Sequence, residues 1–255
     1  MIRLTVIAAI LSLVSFFASA QLYTGMSGLI HVPSAEMFEA GEAQIGAYYM
    51  NRHFLPGSGN PELKGFKYDG KGYDTVDFYA SITPFSWIQI GYAFTLEKHL
   101  IEGYDKPGYN MKDRYISLKV QPLGEGKWYP AVALGANDFL SSATKRHTGA
   151  SETGGYFCNF YIALTKHFDL RGSELGVNLD YRYSPNEYFR KWNGVVGGVA
   201  WRPRGFRKLR VMAEWTGHEV NIGADILLWR HLFIQTAMVG CRYFTGGISY
   251  RVNLF

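Results

Sequence analysis

The chain has 255 residues, a formal charge of +5, and 16% aromatic against 18% charged residues. Its 18 Tyr, 17 Phe and 29 Gly favour strands and turns over helices, while 47% hydrophobic residues exclude a disordered chain. No apolar run near ~20 residues follows the N-terminal segment, which excludes a bundle of membrane helices. The two cysteines, Cys158 and Cys241, are too few for a disulfide scaffold, and nothing in the sequence brings them together.

Arg3, the apolar stretch Leu4 to Phe17 and the small-residue run Ala18-Ser19-Ala20 read as a secretory signal peptide over residues 1–20. Cleavage is expected before Gln21, and a Gln rather than a Cys at the new start argues against a lipid-anchored terminus. Residues 21–41 then hold Pro33 with Gly25, Gly28 and Gly41. They suit either a plug folded into a lumen or a periplasmic lead-in whose Pro and Gly set turns.

From residue 42 onward the dominant signal is period two. Val76, Phe78, Ala80 and Ile82 alternate with Asp77, Tyr79, Ser81 and Thr83; Ile116, Leu118 and Val120 alternate with Tyr115, Ser117, Lys119 and Gln121. Successive strand side chains point to opposite faces, so each run has one apolar face and one polar or small face. This alternation predicts about twelve strands. They lie near 42–51, 73–83, 86–97, 111–121, 128–138, 155–167, 173–184, 191–202, 207–215, 219–228, 231–240 and 242–255.

Long polar connections (52–72, 98–110, 139–154) alternate with short ones (84–85, 122–127, 168–172, 203–206). That asymmetry belongs to bacterial outer-membrane barrels, with long outer loops and short periplasmic turns. The apolar faces are almost free of charge. Asp77, Lys119, Asp180, Arg182, Glu214, Asp225 and Arg251 fall on the other faces and become candidate lumen residues. Trp87, Trp128, Tyr129, Tyr181, Trp192, Trp201, Trp215 and Trp229 sit near strand ends, as interface girdles do. The predicted fold is an all-β transmembrane antiparallel up-and-down β-barrel of about 12 strands over residues 42–255, in a Gram-negative outer membrane. On this reading Leu118→Arg is expected to be costly and Ser117→Arg better tolerated.

The lumen charges suit either contact with sugar hydroxyls or mutual pairing that fills a narrow interior, with pairing favoured. Arg202, Arg204, Arg207, Lys208 and Arg210 form the densest basic cluster and are assigned to a periplasmic turn, where they suit either docking of an acidic polymer or periplasmic partner or contact with lipid phosphates, with lipid contact favoured. A lone basic cluster on an exported chain does not indicate nucleic acid. The seven histidines show no metal-ligand spacing, and neither HExxH nor G-x-S-x-G occurs, so no metal, cofactor or enzymatic activity is expected. His31 and Ser34, three apart, are the one weak hydrolase signal.

The segment Gly28-Leu29-Ile30-His31-Val32-Pro33-Ser34-Ala35, followed by Gly41-Glu42 and a strand, resembles the opening of the YjbH-type family of outer-membrane proteins associated with exopolysaccharide production. The stretches Tyr129 to Leu140 and Leu209 to Ile226 are similar to it as well. The resemblance singles out Gly28, Leu29, Pro33, Ser34 and Ala35 as an N-terminal motif. It implies a non-enzymatic barrel assisting exopolysaccharide secretion or assembly, with membrane lipid, polysaccharide and export-machinery proteins as partners. A general diffusion pore or structural barrel is the alternative, and an outer-membrane hydrolase a third reading.

Overall fold

In a computed structural model, the structure describes residues 21–58, 60–62, 66–100, 102–141 and 155–255. The expected signal segment, 1–20, lies outside them. The barrel strands are β1 (Glu42–Met50), β4 (Thr75–Phe85), β5 (Ile88–His99), β6 (Gly108–Leu123), β7 (Ala131–Ser141), β8 (Asn159–Leu170), β9 (Ser173–Tyr183), β10 (Gly194–Arg202), β11 (Leu209–Trp215), β12 (Val220–Leu228), β13 (Leu232–Val239) and β14 (Tyr243–Asn253). A small hairpin, β2 (Lys67–Tyr68) and β3 (Lys71–Gly72), decorates the first long connection and was not among the expected strands.

The twelve long strands close into one barrel, with β1 pairing antiparallel to both β4 and β14. Every other barrel strand pairs with its sequence neighbours, and each expected strand is present with ends moved by up to four residues. Closure leaves no strand edge, so each backbone polar group of the wall finds a partner where water is absent. The alternation sorts the faces as the sequence requires. On β10 Val196 and Ala200 are buried while Val195, Val199 and Trp201 are exposed. On β4 Asp77, Tyr79, Ser81 and Thr83 point inward. The exterior is therefore an apolar band carrying Ile45, Leu134, Leu179, Ile222 and Ile248, a surface that only hydrocarbon stabilises.

The chain turns tightly at 86–87, 171–172 and 229–231, the end where Glu42 faces Asn253. The opposite end carries the longer connections, including 51–74 and 184–193. Trp87, Trp128, Trp201 and Trp229 are exposed at or near the turn end, and Trp215 at the loop end, as a girdle requires. Trp192 departs from that expectation. It belongs to a short 3-10 turn, Arg190–Trp192, and is buried at 1% exposure inside the loop end. Cys158 precedes β8 rather than lying on its apolar face, and both cysteines are free.

Residues 21–35 are all buried, because this segment occupies the lumen. That overturns the expected tolerance at Ser117. Its side chain is 1% exposed, and its hydroxyl accepts the Asp138 N–H at 3.4 Å, so an Arg there has no room. Leu118 faces outward on the same strand. Leu118→Arg is expected to lower folding stability by about 2–4 kcal/mol near the midplane, whereas Leu118→Phe is expected to be nearly neutral. Urea unfolding of the protein in lipid vesicles measures both. A cost shared equally by the two variants would contradict the outward assignment.

Candidate functional site: a filled lumen and its two ends

The segment that fills the lumen folds back on itself in two tight turns. Leu22 N–H bonds to the Met26 carbonyl at 2.7 Å, and Leu29 N–H to the Val32 carbonyl at 2.8 Å. Gly28 pairs with Pro33 across the second turn. A side chain at Gly28 would meet Leu22 at 2.5 Å, which is why the chain needs glycine there. The apolar residues of the segment sit against bare patches of wall. A Cβ on Gly91 would lie 2.7 Å from Met26 Sδ, and one on Gly198 would lie 2.6 Å from Leu29.

The tip, residues 30–32, is held by one carboxylate. Glu214 accepts the N–H groups of Ile30 (3.0 Å), His31 (2.9 Å) and Val32 (2.9 Å), and the amide of Asn221 at 2.8 Å. Three successive N–H groups converging on an anion form a nest, a geometry selective for negative charge. Lys119 answers it lower down, donating from Nζ to the Ser27 carbonyl (3.0 Å), Ser27 Oγ (2.7 Å) and the Glu36 carbonyl (2.7 Å). Gln44 and Ser81 donate to the Gly25 carbonyl, Gln235 to that of Leu29, and Gln121 to that of Ala35. Thr165 accepts the Ala35 N–H at 2.7 Å. Through these residues six wall strands, β1, β4, β6, β8, β11 and β13, reach the backbone of one short segment.

Arg182 donates to the His31 carbonyl and to His31 Nδ1, both at 3.0 Å. A guanidinium only donates, so Nδ1 is unprotonated and the imidazole proton of a neutral ring sits on Nε2. The His31 ring packs against Trp192 (centroids 4.4 Å apart), Phe54 (5.0 Å) and Phe189 (5.5 Å). These aromatics, with Phe157 against Tyr23, roof the lumen at the loop end.

At the turn end the charges gather around Glu36. Its carboxylate receives His167 Nε2 at 3.0 Å, Arg210 Nη1 at 3.4 Å and Arg202 Nη2 at 3.8 Å. The other ring nitrogen of His167 lies 2.6 Å from Glu125, in the turn after β6. Carboxylates at both nitrogens hold the imidazole as a cation. Burial would raise the Glu125 carboxyl, but its bonds to Lys166 and His167 outweigh that and hold it below its ordinary value. Arg210 pairs with Asp225 at 2.5 Å, and Arg202 with Glu174.

Of the candidate lumen residues, all seven are buried. Mutual pairing is not their main arrangement. Glu214, Lys119 and Arg182 bind the N-terminal segment, and Arg251 donates to Gln21 at 3.2 Å while lying 4.1 Å from the Phe233 ring. Asp77 accepts from Tyr115 (2.6 Å) and Thr95 (3.0 Å), and Asp180 lies in the field of the Arg182 and Lys119 cations and the Glu214 carboxylate. The motif residues Gly28, Leu29, Pro33, Ser34 and Ala35 all lie in the buried segment. The basic cluster requires correction. Arg204, Arg207 and Lys208 are exposed at the turn, but Arg202 and Arg210 point into the lumen, because they share strand parity with Ala200 and Glu214. Ser34 Oγ accepts the Glu36 N–H, while His31 Nδ1 is taken by Arg182, so neither group serves the other as base and nucleophile. Glu36 and Gln21 were not singled out by the sequence.

A closed twelve-stranded barrel with an apolar exterior and a polar, filled interior is a transmembrane barrel of the outer-membrane type. The family model for YjbH, described as exopolysaccharide biosynthesis protein YbjH, matches residues 66–254, and the chain belongs to that family. No curated protein sequence matches it. Among solved structures, the outer membrane phospholipase A from Escherichia coli is similar at 11% identity and a TM-score of 0.36, covering 85% of this chain and 98% of that one. LpxR from Salmonella typhimurium is similar at 10% identity and a TM-score of 0.36, covering 82% and 99% respectively.

Glu214→Ala is expected to orphan the N–H groups of residues 30–32, at roughly 1–3 kcal/mol for each donor left unmade. The tip should then become accessible. Limited proteolysis of the variant in detergent is expected to release an N-terminal fragment that the parent protein retains; equal resistance would contradict the nest's role.

Proposed function

We propose that the protein is a non-enzymatic outer-membrane barrel that assists secretion or assembly of an exopolysaccharide, acting as a gated or docking component rather than as a standing pore. The family supplies the link to exopolysaccharide. The observation that carries the rest is the lumen-filling segment 21–35, hydrogen-bonded to the wall along its length. A general diffusion pore needs a hydrated path, and this interior is occupied by Leu29, Ile30, Val32 and their polar anchors.

The proposed orientation puts the termini and tight turns in the periplasm and the long loops outside. The Glu36 cluster then sits at the periplasmic mouth, within reach of export machinery, and the aromatic roof faces the cell exterior. The exposed Arg204, Arg207 and Lys208 lie beside the inner lipid phosphates. On this reading the protein starts at Gln21 after removal of a signal peptide, which leaves the plug free to fold into the barrel.

Two measurements test the reading. In planar bilayers the purified protein is expected to be silent or nearly so, while the Glu36→Ala, Glu214→Ala double variant is expected to open. A large, steady conductance in the parent protein would favour the diffusion pore. Deletion of the gene is expected to change the amount or chain length of surface exopolysaccharide, with complementation restoring it. Unchanged polymer under every growth condition that elicits it would remove the assisting role.

A further inference from the structure

The loop end carries a second feature, distinct from the plug. A groove of about 770 Å³ opens there among residues of the segments 53–58, 60–61, 187–191 and 218–219, with Tyr243 at its edge. Its size lies within the usual range of small-ligand sites, about 300–1,000 Å³. Three kinds of group line it. His53 stacks on Tyr243 with ring centroids 3.7 Å apart and planes 11° from parallel. Glu187 and Glu219 supply carboxylates, and Arg190 and Lys191 supply cations. Among the described residues, Glu187, Arg190 and Glu219 stand in no ion pair within 4.0 Å, and the Glu219 carboxylate acts across the groove on Lys191 and His53.

We infer that this groove binds a short run of sugar rings, an inference that rests on the exopolysaccharide reading and names the part of the molecule that touches the polymer. A pyranose ring has an apolar C–H face and a rim of hydroxyls. The stacked imidazole–phenol pair offers a flat surface for the first, and carboxylate acceptors beside guanidinium and ammonium donors match the second. A lipid tail finds too many charges here, and the groove lies beyond the apolar belt. Lys191 ties the groove to the plug. Its Nζ donates to Ser58 Oγ at 2.5 Å and stands 4.1 Å over the ring of Trp192, which packs on His31. Burial pushes this ammonium down to about 8.

Two sources of sugar reach this face: the exported polymer and the core saccharide of neighbouring lipopolysaccharide. Isothermal titration of the full protein in detergent micelles separates them. The probes are oligosaccharides released by mild acid from the strain's own secreted polymer, and core oligosaccharide released from its lipopolysaccharide. Saturable binding of either fraction, weakened at least about tenfold by His53→Ala or Arg190→Ala, is the expected result, and the fraction that binds identifies the source. Both positions are exposed, and unaltered heat-modifiable gel mobility will certify folding. No saturable binding of either fraction, or binding that both variants retain in full, would overturn the site. A deletion strain with altered polymer that both variants restore completely would leave the exopolysaccharide role standing and remove the groove alone.

Discussion

The structure depends on satisfying buried charge inside a narrow barrel. A closed wall of twelve strands settles its own backbone, but Glu214, Lys119, Arg182 and Arg251 project into an interior from which the N-terminal segment excludes water. An isolated ion in such a place is very costly unless hydrogen bonds surround it. The N-terminal segment provides them from its main chain: N–H groups of residues 30–32 for the Glu214 anion, and carbonyls of Ser27 and Glu36 for the Lys119 cation. Wall and segment are complementary in charge, and neither is well satisfied without the other. Three backbone N–H groups on the Glu214 carboxylate at the tip and a clamp of cations on Glu36 fix the two ends of the same piece of chain.

The exterior obeys a simpler rule. Its outward positions are aliphatic or aromatic, and their burial comes from the bilayer rather than from the protein. This division explains why small residues appear on the inner face. Gly91 and Gly198 admit Met26 and Leu29, so the lumen is packed as a core of its own. A pore of this circumference becomes a solid cylinder, and function shifts to its two ends.

The barrel was legible because period-two alternation is a local property: on β4, Val76 to Thr83 sort themselves without reference to any other strand. The plug was legible only as a choice between two roles, since residues 21–41 carry turn formers but no periodicity. What anchors it is non-local. The main-chain partners of Glu214 lie more than 180 positions away, and no spacing in the sequence announces them. The partners of Glu36, His167, Arg202 and Arg210, are likewise distant in sequence. Arg202 and Arg210 are different, because parity alone carried the signal: extending the Val196, Ala200 and Met212, Glu214 faces to the strand ends turns both inward. Grouping them with Arg204, Arg207 and Lys208 by proximity hid it. Trp192 has the place of a girdle residue near a strand end, but the 3-10 turn folds it over His31, a contact no local pattern encodes.

The most direct probe of a pinned plug is amide hydrogen exchange at Ile30, His31 and Val32, followed by NMR in detergent micelles. Groups bonded to the Glu214 carboxylate inside the barrel are expected to exchange as slowly as the wall strands around them. Exchange at the rate of an unstructured, solvated tail would mean that this segment does not fill the lumen and that Glu214 does not pin it.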